Sequence, residues 1–182
     1  MELSDRLCGT PAERAALERV RTASNDVFER HSLRVFLIAE ELGARDGVDF
    51  DREVLLVAAL LHDIGLYRPP QPGSTYVVEG RIDGDEIGRE QDWAQERIAL
   101  LCDAIERHHE VRAQWDRGTE VELIRRADFA DAVPLGWRRF GLEAGWIGAL
   151  HARVPKRGMY PAIVALLKSQ PPASLLRIFV RP

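Results

Sequence analysis

Residues 54–65 read VLLVAALLHDIG, and this stretch decides the fold. Its first eight residues are all aliphatic, so a helix formed by them is apolar around its whole circumference. Such a helix is typical of a position that is buried on every side. Because Asp51 is a favoured N-cap residue, we predict a central helix from Asp51 to Asp63 in an all-α protein.

Helical periodicity continues on both sides of this stretch, whereas the alternation typical of strands is scarce. Pro11 suits the first turn of one helix, and Asp26 suits the N-cap of the next. Thr119 and Glu122 have the spacing of a capping box that opens a later helix. The helices predicted besides the central one are 11–23, 26–43, 92–109, 119–132 and one or two in the tail, making a bundle of about six to eight.

Two stretches are predicted to lie outside helices. Residues 68–74, RPPQPGS, cannot extend the central helix because proline lacks the amide donor and clashes with the preceding turn. Residues 79–90 are acidic and interrupted by glycine, so we predict a short surface segment there.

The length and cysteine content limit the class of protein. The 182 residues suffice for one domain with its own core, and we expect a single domain over residues 1–182. Cys8 and Cys102 lie outside any CxxC pattern, which argues against a disulfide framework and favours a reducing cytoplasm. We find neither a secretory signal nor a bilayer-spanning apolar segment, so no membrane association is expected. Homo-oligomerisation is left open.

Charge is unevenly distributed along the chain. Residues 132–182 hold eight Lys or Arg against the single acid Glu143, although the net charge of the whole chain is −4. This basic tail either attracts a small anionic substrate or packs against acidic helices. Because it lacks interleaved aromatic and basic residues and the chain is acidic overall, we predict no nucleic-acid binding.

Several polar residues occupy positions where a core residue is expected. His31 lies on the apolar stripe of its helix, four residues before Val35. The pair His62 and Asp63 ends the most apolar helix, and Asp128 lies on the inner face of a later one. A buried charge needs a partner. One divalent cation would serve all four residues; the alternative is an ion pair between Asp63 and an arginine such as Arg34, with the histidines merely hydrogen-bonded.

The order of these residues resembles the HD superfamily of metal-dependent phosphohydrolases. The resemblance covers residues 26–133 and rests on HSLRVFLIA from His31, ALLHDIG around His62 and Asp63, and RRADFADA around Asp128. It implies an HD-type helical bundle in which His31, His62, Asp63 and Asp128 bind one divalent transition metal ion, such as Zn, Mn, Fe, Co or Ni. The tail, residues 134–182, would cover the core.

The double histidine His108 and His109 in RHHE is similar to further histidines of family members that bind two metals or contact the substrate. We expect one of these two to reach the site. Members that bind two metals have another histidine before this pair, but residues 80–90, GRIDGDEIGRE, contain none. A single metal ion is therefore favoured.

The predicted activity is hydrolysis of a nucleotide or small phosphomonoester by a metal-bound water, because a divalent ion lowers the pKa of its water to about 7. Asp63 or Glu86 would relay the proton. Charge compensation for the phosphate would come from an arginine. The candidates are Arg34, Arg68, Arg138 and Arg139.

Two other functions remain open. Leu66 follows HDIG where many phosphohydrolases of the family carry lysine, which is similar to the cyanamide-hydratase-like branch and suggests hydration of a small nitrile. The other is a non-catalytic module that keeps the metal site as a clamp or ligand sensor. The motifs of P-loop, dinucleotide-binding, nucleophile-elbow and HExxH proteins do not occur.

Overall fold

The computed structural model describes residues 2–69 and 73–169, and within them every regular element is helical. Residues 70–72 of the predicted loop and 170–182 of the tail lie outside this description. Short 3-10 turns follow α4 and α7, at Ile64–Tyr67 and Gly136–Phe140. The helices of the described residues are α1 (Leu3–Leu7), α2 (Pro11–Ala23), α3 (Asp26–Asp46), α4 (Arg52–Leu61), α5 (Tyr76–Glu90), α6 (Gln95–Glu106), α7 (Thr119–Ala132), α8 (Ala144–Arg153) and α9 (Met159–Ser169).

Helix α4 forms the centre of the bundle, as predicted. Each residue from Val54 to Leu61 is fully buried, and α2, α3, α5, α6 and α7 all contact the helix. Burial of each large aliphatic side chain contributes about 1.5–3 kcal/mol. Asp51 caps the first turn by accepting a hydrogen bond from the Val54 amide at 3.1 Å. The all-α prediction is confirmed.

Two helices end earlier than predicted, and this places functional residues in turns. Helix α4 ends at Leu61, so His62 and Asp63 lie in the turn that leads into the 3-10 segment. Helix α6 begins at Gln95 and ends at Glu106, so His108 and His109 follow it instead of belonging to it. In a helix, consecutive side chains point about 100° apart. In a turn, they can point toward the same site.

Two predicted helix starts are wrong in detail. Asn25, not Asp26, caps α3, and its side chain accepts hydrogen bonds from the amides of residues 27 and 28. The capping box at Thr119 is absent, because α7 begins at that residue after Gly118. The carboxylate of Glu122 instead binds the Arg125 guanidinium and the Gln114 amide at 2.7 Å each.

The predicted surface segment at 79–90 is wrong, because these residues belong to the fifteen-residue helix α5. Three glycines four residues apart, Gly80, Gly84 and Gly88, line one face of this helix. A Cβ atom would lie 2.7 Å from Ile105 at Gly84 and 2.7 Å from Ile98 at Gly88. The glycines therefore allow α5 to pack closely on α6, and this tertiary contact outweighs their low helix propensity.

The tail adds helices α8 and α9, in agreement with the one or two predicted, and α9 contacts α3 and the 3-10 turn after α4. Neither the five-residue helix α1 nor α5 is predicted; the described residues form nine helices, and without the short α1 there are eight, in agreement with the predicted six to eight. Within the described ranges, no helix combines the length and apolarity required to cross a bilayer.

Candidate metal centre

Three helices bring the four predicted ligands to one buried point. His31 comes from the second turn of α3, His62 and Asp63 from the turn after α4, and Asp128 from α7. All four are buried. The distance from Nε2 of His31 to Oδ1 of Asp128 is 3.3 Å, which places residues separated by almost a hundred positions in direct contact.

The distances between the potential ligand atoms match those around a single ion. Nε2 of His31 lies 3.2 Å from Nε2 of His62, and Oδ2 of Asp63 lies 3.8 and 3.5 Å from these two nitrogens. Oδ1 of Asp128 lies 3.7 Å from Nε2 of His62. A metal about 2.0–2.2 Å from each ligand separates neighbouring ligand atoms by roughly 3.0–3.5 Å. His31, His62 and Asp128 form one potential ligand set, and Asp63 forms a second with His62 and His108, so these residues could hold a divalent ion.

The other nitrogen of each ring fixes which nitrogen faces the site. Nδ1 of His31 lies 2.7 Å from Oδ2 of Asp131, and Nδ1 of His62 lies 2.8 Å from the carbonyl of Ala59. Because carboxylates and carbonyls only accept hydrogen bonds, each Nδ1 carries the proton. When both rings are neutral, their Nε2 atoms therefore direct lone pairs to the same point, which is the arrangement of metal-binding histidines.

The electrostatics also favour a cation here. Burial raises the pKa of Asp128 and of Asp63, but hydrogen bonds from His31 and His62 to Asp128 and the charge of His62 near Asp63 outweigh burial and lower both pKa values. Burial lowers the pKa of His31, but its hydrogen bonds to Asp128 and Asp131 raise it to about 9. The cluster thus keeps its carboxylates ionised and attracts a proton when no metal is bound.

Both residues of the double histidine lie beside this cluster. Nε2 of His108 lies 3.4 Å from Oδ1 of Asp63, and Nδ1 of His109 lies 3.6 Å from Oδ2 of Asp128. The Tyr76 hydroxyl hydrogen-bonds Nε2 of His109. Burial and the neighbouring His108 lower the pKa of His109 to about 4, so the ring is neutral at physiological pH.

A cavity of about 370 Å³ opens onto the cluster. Its polar lining includes His31, Asp63, Asp128, the double histidine and Glu110, whereas most of the other lining residues are apolar. Two arginines, Arg125 and Arg139, also line it. The apolar lining residues are Leu66, Val111, Phe129, Ala132, Val133 and Ile163.

The predicted residues that do not line this cavity include one acid and two arginines that pair with other side chains. The Glu86 side chain is 56% exposed and pairs with Arg19, so the structure does not bring it to the cluster. Arg68 pairs with Asp83 at 2.7 Å. Arg34 is fully buried and binds Asp131, so the alternative ion pair between Arg34 and Asp63 is also wrong. The carboxylate that pairs with Arg34 lies on a neighbouring helix, and residue spacing along one helix does not indicate such a partner.

Two residues near the site, Asp131 and Arg125, are not predicted from the sequence. A third, Arg139, is predicted only as one of several possible contacts to the phosphate. Asp131 contacts His31, and its spacing of three residues after Asp128 was an available signal. Arg125 lines the cavity but forms an ion pair with Glu122, three residues earlier on the same helix. Arg139 was one of four candidate arginines, and its guanidinium packs over the ring of Phe129, with 5.2 Å to the centroid.

Comparison with known proteins agrees with this geometry. The family model described as the HD domain matches residues 28–133, which contain all four candidate ligands and the double histidine. No curated protein matches the chain.

Proposed function

Because the chain belongs to the HD domain family, we propose that it is a hydrolase that uses one divalent metal ion to cleave a nucleotide or small phosphomonoester. The family implies a metal-dependent hydrolase; the phosphate substrate and the single ion are our own proposal. One observation carries it: the Nε2 atoms of His31 and His62 lie 3.2 Å apart with their Nδ1 protons donated elsewhere.

We assign the metal to His31, His62, Asp63 and Asp128. When bound, a divalent ion supplies Lewis acidity and lowers the pKa of a coordinated water to about 7. The protein holds the ligands on packed helices and excludes bulk water, since His31, His62 and Asp128 are each less than 5% exposed. This rigidity favours a fixed coordination geometry.

Asp63 is the proposed proton acceptor for the attacking water. Its side chain lines the cavity, whereas His62 does not. Its Oδ1 faces Nε2 of His108 at 3.4 Å, and Nδ1 of His108 donates to the Ile105 carbonyl at 2.6 Å. His108 can therefore share the proton that Asp63 accepts, and it replaces the exposed Glu86 as the proposed relay.

Arg139 is the proposed contact to the phosphate. It lines the cavity, and among the described residues no carboxylate pairs with it. Arg125 is neutralised by Glu122 through two hydrogen bonds of 2.7 Å. The rings of Phe129 and Phe140 support the Arg139 guanidinium, which leaves its N–H groups available for an anion.

Hydration of a small nitrile is the second candidate. Leu66 lines the cavity together with Phe129, Val133 and Ile163, and an apolar wall suits a small uncharged substrate. Neither candidate requires a membrane or a nucleic acid. We keep the cytoplasm as the proposed compartment, because Cys8 and Cys102 are buried free thiols.

A substrate panel tests these functions. The chelated protein is supplied with Mn, Co, Zn, Fe or Ni and assayed on nucleoside monophosphates, p-nitrophenyl phosphate and cyanamide. Metal-dependent release of phosphate that Asp63→Asn abolishes supports the phosphohydrolase. Asp85→Asn, which changes an exposed carboxylate paired with Arg89, is the matched control and should keep turnover.

The other outcomes separate the alternatives. Turnover of cyanamide alone supports nitrile hydration and contradicts phosphate hydrolysis. One tightly bound ion per chain without turnover of any substrate favours the non-catalytic module. If no metal binds at all, the proposal fails at its first step.

A further inference from the structure

A fully buried carboxylate lies directly behind the candidate metal centre. Asp131 has no exposed surface, and its Oδ2 accepts the Nδ1 proton of His31 at 2.7 Å. Nε of Arg34, which is also fully buried, lies 2.9 Å from Oδ1 and 3.0 Å from Oδ2. Nζ of Lys156 lies 3.2 Å from Oδ1. One anion is therefore held by two cations and the imidazole of His31, and Nε2 of His151 lies 4.0 Å from its Oδ1.

The arrangement follows from the same helical spacing on two packed helices. Arg34 lies three residues after His31 on α3, and Asp131 lies three residues after Asp128 on α7. Residues three apart share a helix face. The pair nearer the cavity is His31 and Asp128, at 3.3 Å, and the pair behind it is Arg34 and Asp131.

Arg34 also binds the connection between α8 and α9. Its Nη1 donates to the Pro155 carbonyl at 3.0 Å, and its Nη2 lies 2.9 Å from the sulfur of Met159. The guanidinium is thus fixed at three points, so it presents Nε to Asp131 in one orientation. Nε of Arg34 is shared by both oxygens of Asp131, whereas Lys156 lies on Oδ1 and His31 on Oδ2.

We infer that Asp131 is a positioning residue for the metal centre: held by Arg34 and Lys156, it sets the tautomer of His31 so that Nε2 is free to bind a metal. The inference rests on the proposed metal site. Asp131 does not line the cavity, and it acts only through His31. Partners of this kind typically change metal affinity about 10- to 100-fold.

The substitution Asp131→Asn tests this role because the surrounding cations dictate the orientation of the new amide. Lys156 lies on Oδ1 and can only donate, so it selects the amide oxygen at that position, where Nε of Arg34 also donates. The NH₂ group then replaces Oδ2 and faces Nδ1 of His31. To accept this donor the ring must move its proton to Nε2, the atom that should bind the metal.

The matched control is Asp83→Asn. Asp83 is also buried and is bound by two arginines, with Arg19 and Arg68 each at 2.8 Å, but it has no contact with a histidine in the described residues. Two measurements are compared: the Kd for Zn²⁺ by competition with a chelator, and the protonated nitrogen of His31 by ¹⁵N NMR of the metal-free protein. The spectra are recorded above about pH 9, the value to which its hydrogen bonds raise the pKa of His31, so that the neutral ring is observed.

We expect Asp131→Asn to raise the Kd for Zn²⁺ about 10- to 100-fold and to move the proton from Nδ1 to Nε2. Asp83→Asn should leave the Kd within about twofold and the tautomer unchanged. An unchanged tautomer in Asp131→Asn overturns the inference even if affinity falls, because loss of the charge alone would then explain the loss.

The wild-type protein keeps the inference falsifiable if Asp131→Asn does not fold. Its spectrum must show the proton on Nδ1 of His31, and a proton on Nε2 contradicts the inference. A wild-type chain that binds no Zn²⁺ refutes the proposed function and this inference together. A wild-type chain that binds Zn²⁺ as tightly as folded Asp131→Asn refutes the inference alone.

Discussion

The Nε2 atoms of His31 and His62 face each other at 3.2 Å, with each Nδ1 proton already donated to an oxygen. Two neutral imidazoles in this arrangement would oppose their lone pairs in a site that water hardly enters. Such a contact is unfavourable unless a positive charge lies between the nitrogens. The contact therefore favours a positive charge at this point, and the carboxylates of Asp63 and Asp128 add two negative charges to the site.

Metal binding should stabilise the folded protein strongly. At a Zn²⁺ concentration a hundred times the Kd, the free energy of unfolding should rise by about 2.7 kcal/mol. For a chain of this length the melting temperature should rise by roughly 5–10 °C. Differential scanning fluorimetry with and without EDTA measures the shift. Asp128→Asn should remove most of it, and a variant that shifts as much as wild type would contradict the ligand assignment.

Arg139 should matter for anionic substrates only. Arg139→Gln should raise the KM for a phosphomonoester about tenfold, because one charge-assisted hydrogen bond at a partly exposed position is lost. The control is Arg138→Gln, since that neighbouring guanidinium packs over Trp137 and is not among the residues that line the cavity. Steady-state kinetics of both variants measures the effect. Equal KM values in the two variants would exclude Arg139 as the phosphate contact.

The close packing of α5 against α4 should make Gly80 important for the stability of the fold. A Cβ at Gly80 would lie 2.8 Å from the backbone carbonyl of Leu61, which cannot move without shifting α4. We expect Gly80→Ala to lower the free energy of unfolding by about 1–3 kcal/mol. Gly148→Ala on α8 meets no atom within 4 Å and should raise stability by about 0.5–1 kcal/mol. Urea unfolding of both variants checks the signs, and stabilisation by Gly80→Ala would contradict the packing.

The N-cap of the central helix should give a pH-dependent contribution to stability. The hydrogen bonds from Arg97 to Asp51 lower the pKa of this carboxyl below its ordinary value of 3.8. A carboxyl with a lowered pKa stabilises the fold above that ordinary value, and the contribution disappears as the pH falls through the folded-state pKa. Asp51→Ala should therefore cost about 1–2 kcal/mol at neutral pH.

Denaturant titrations between neutral pH and about pH 3 measure this contribution. The stability difference between wild type and Asp51→Ala should narrow at the acidic end, since the carboxyl of the unfolded chain binds a proton there before that of the folded protein does. A difference that stays constant over the whole range would show that the carboxylate charge has no part in the cap.

The central helix can be predicted from the sequence because its residue pattern indicates burial on every side. Eight aliphatic residues in succession fix α4 as the central helix whatever surrounds it. His31 and Asp128 were placed on inward faces by helical spacing, and the structure brings both to His62. Local sequence patterns are therefore sufficient to predict which residues point inward when one face of a helix must be apolar.

Other features depend on contacts between distant segments. Glycine reduces helix propensity, so Gly80, Gly84 and Gly88 favour a surface segment when only the local sequence is considered. The packing of this helix against α6, which the local sequence does not show, outweighs that preference. Arg34 was assigned to the substrate, because nothing in its own helix shows that Asp131 meets it from α7. The turns after α4 and α6 were likewise read as helix, although they direct the catalytic candidates into the cavity.

Anomalous diffraction from a crystal soaked in Zn²⁺ tests the central claim most directly. We predict one peak per chain, about 2.0–2.2 Å from Nε2 of His31 and His62 and from a carboxylate oxygen of Asp63 and Asp128. A fully soaked crystal with no peak between these residues, or with the ion held by other side chains, would contradict the account.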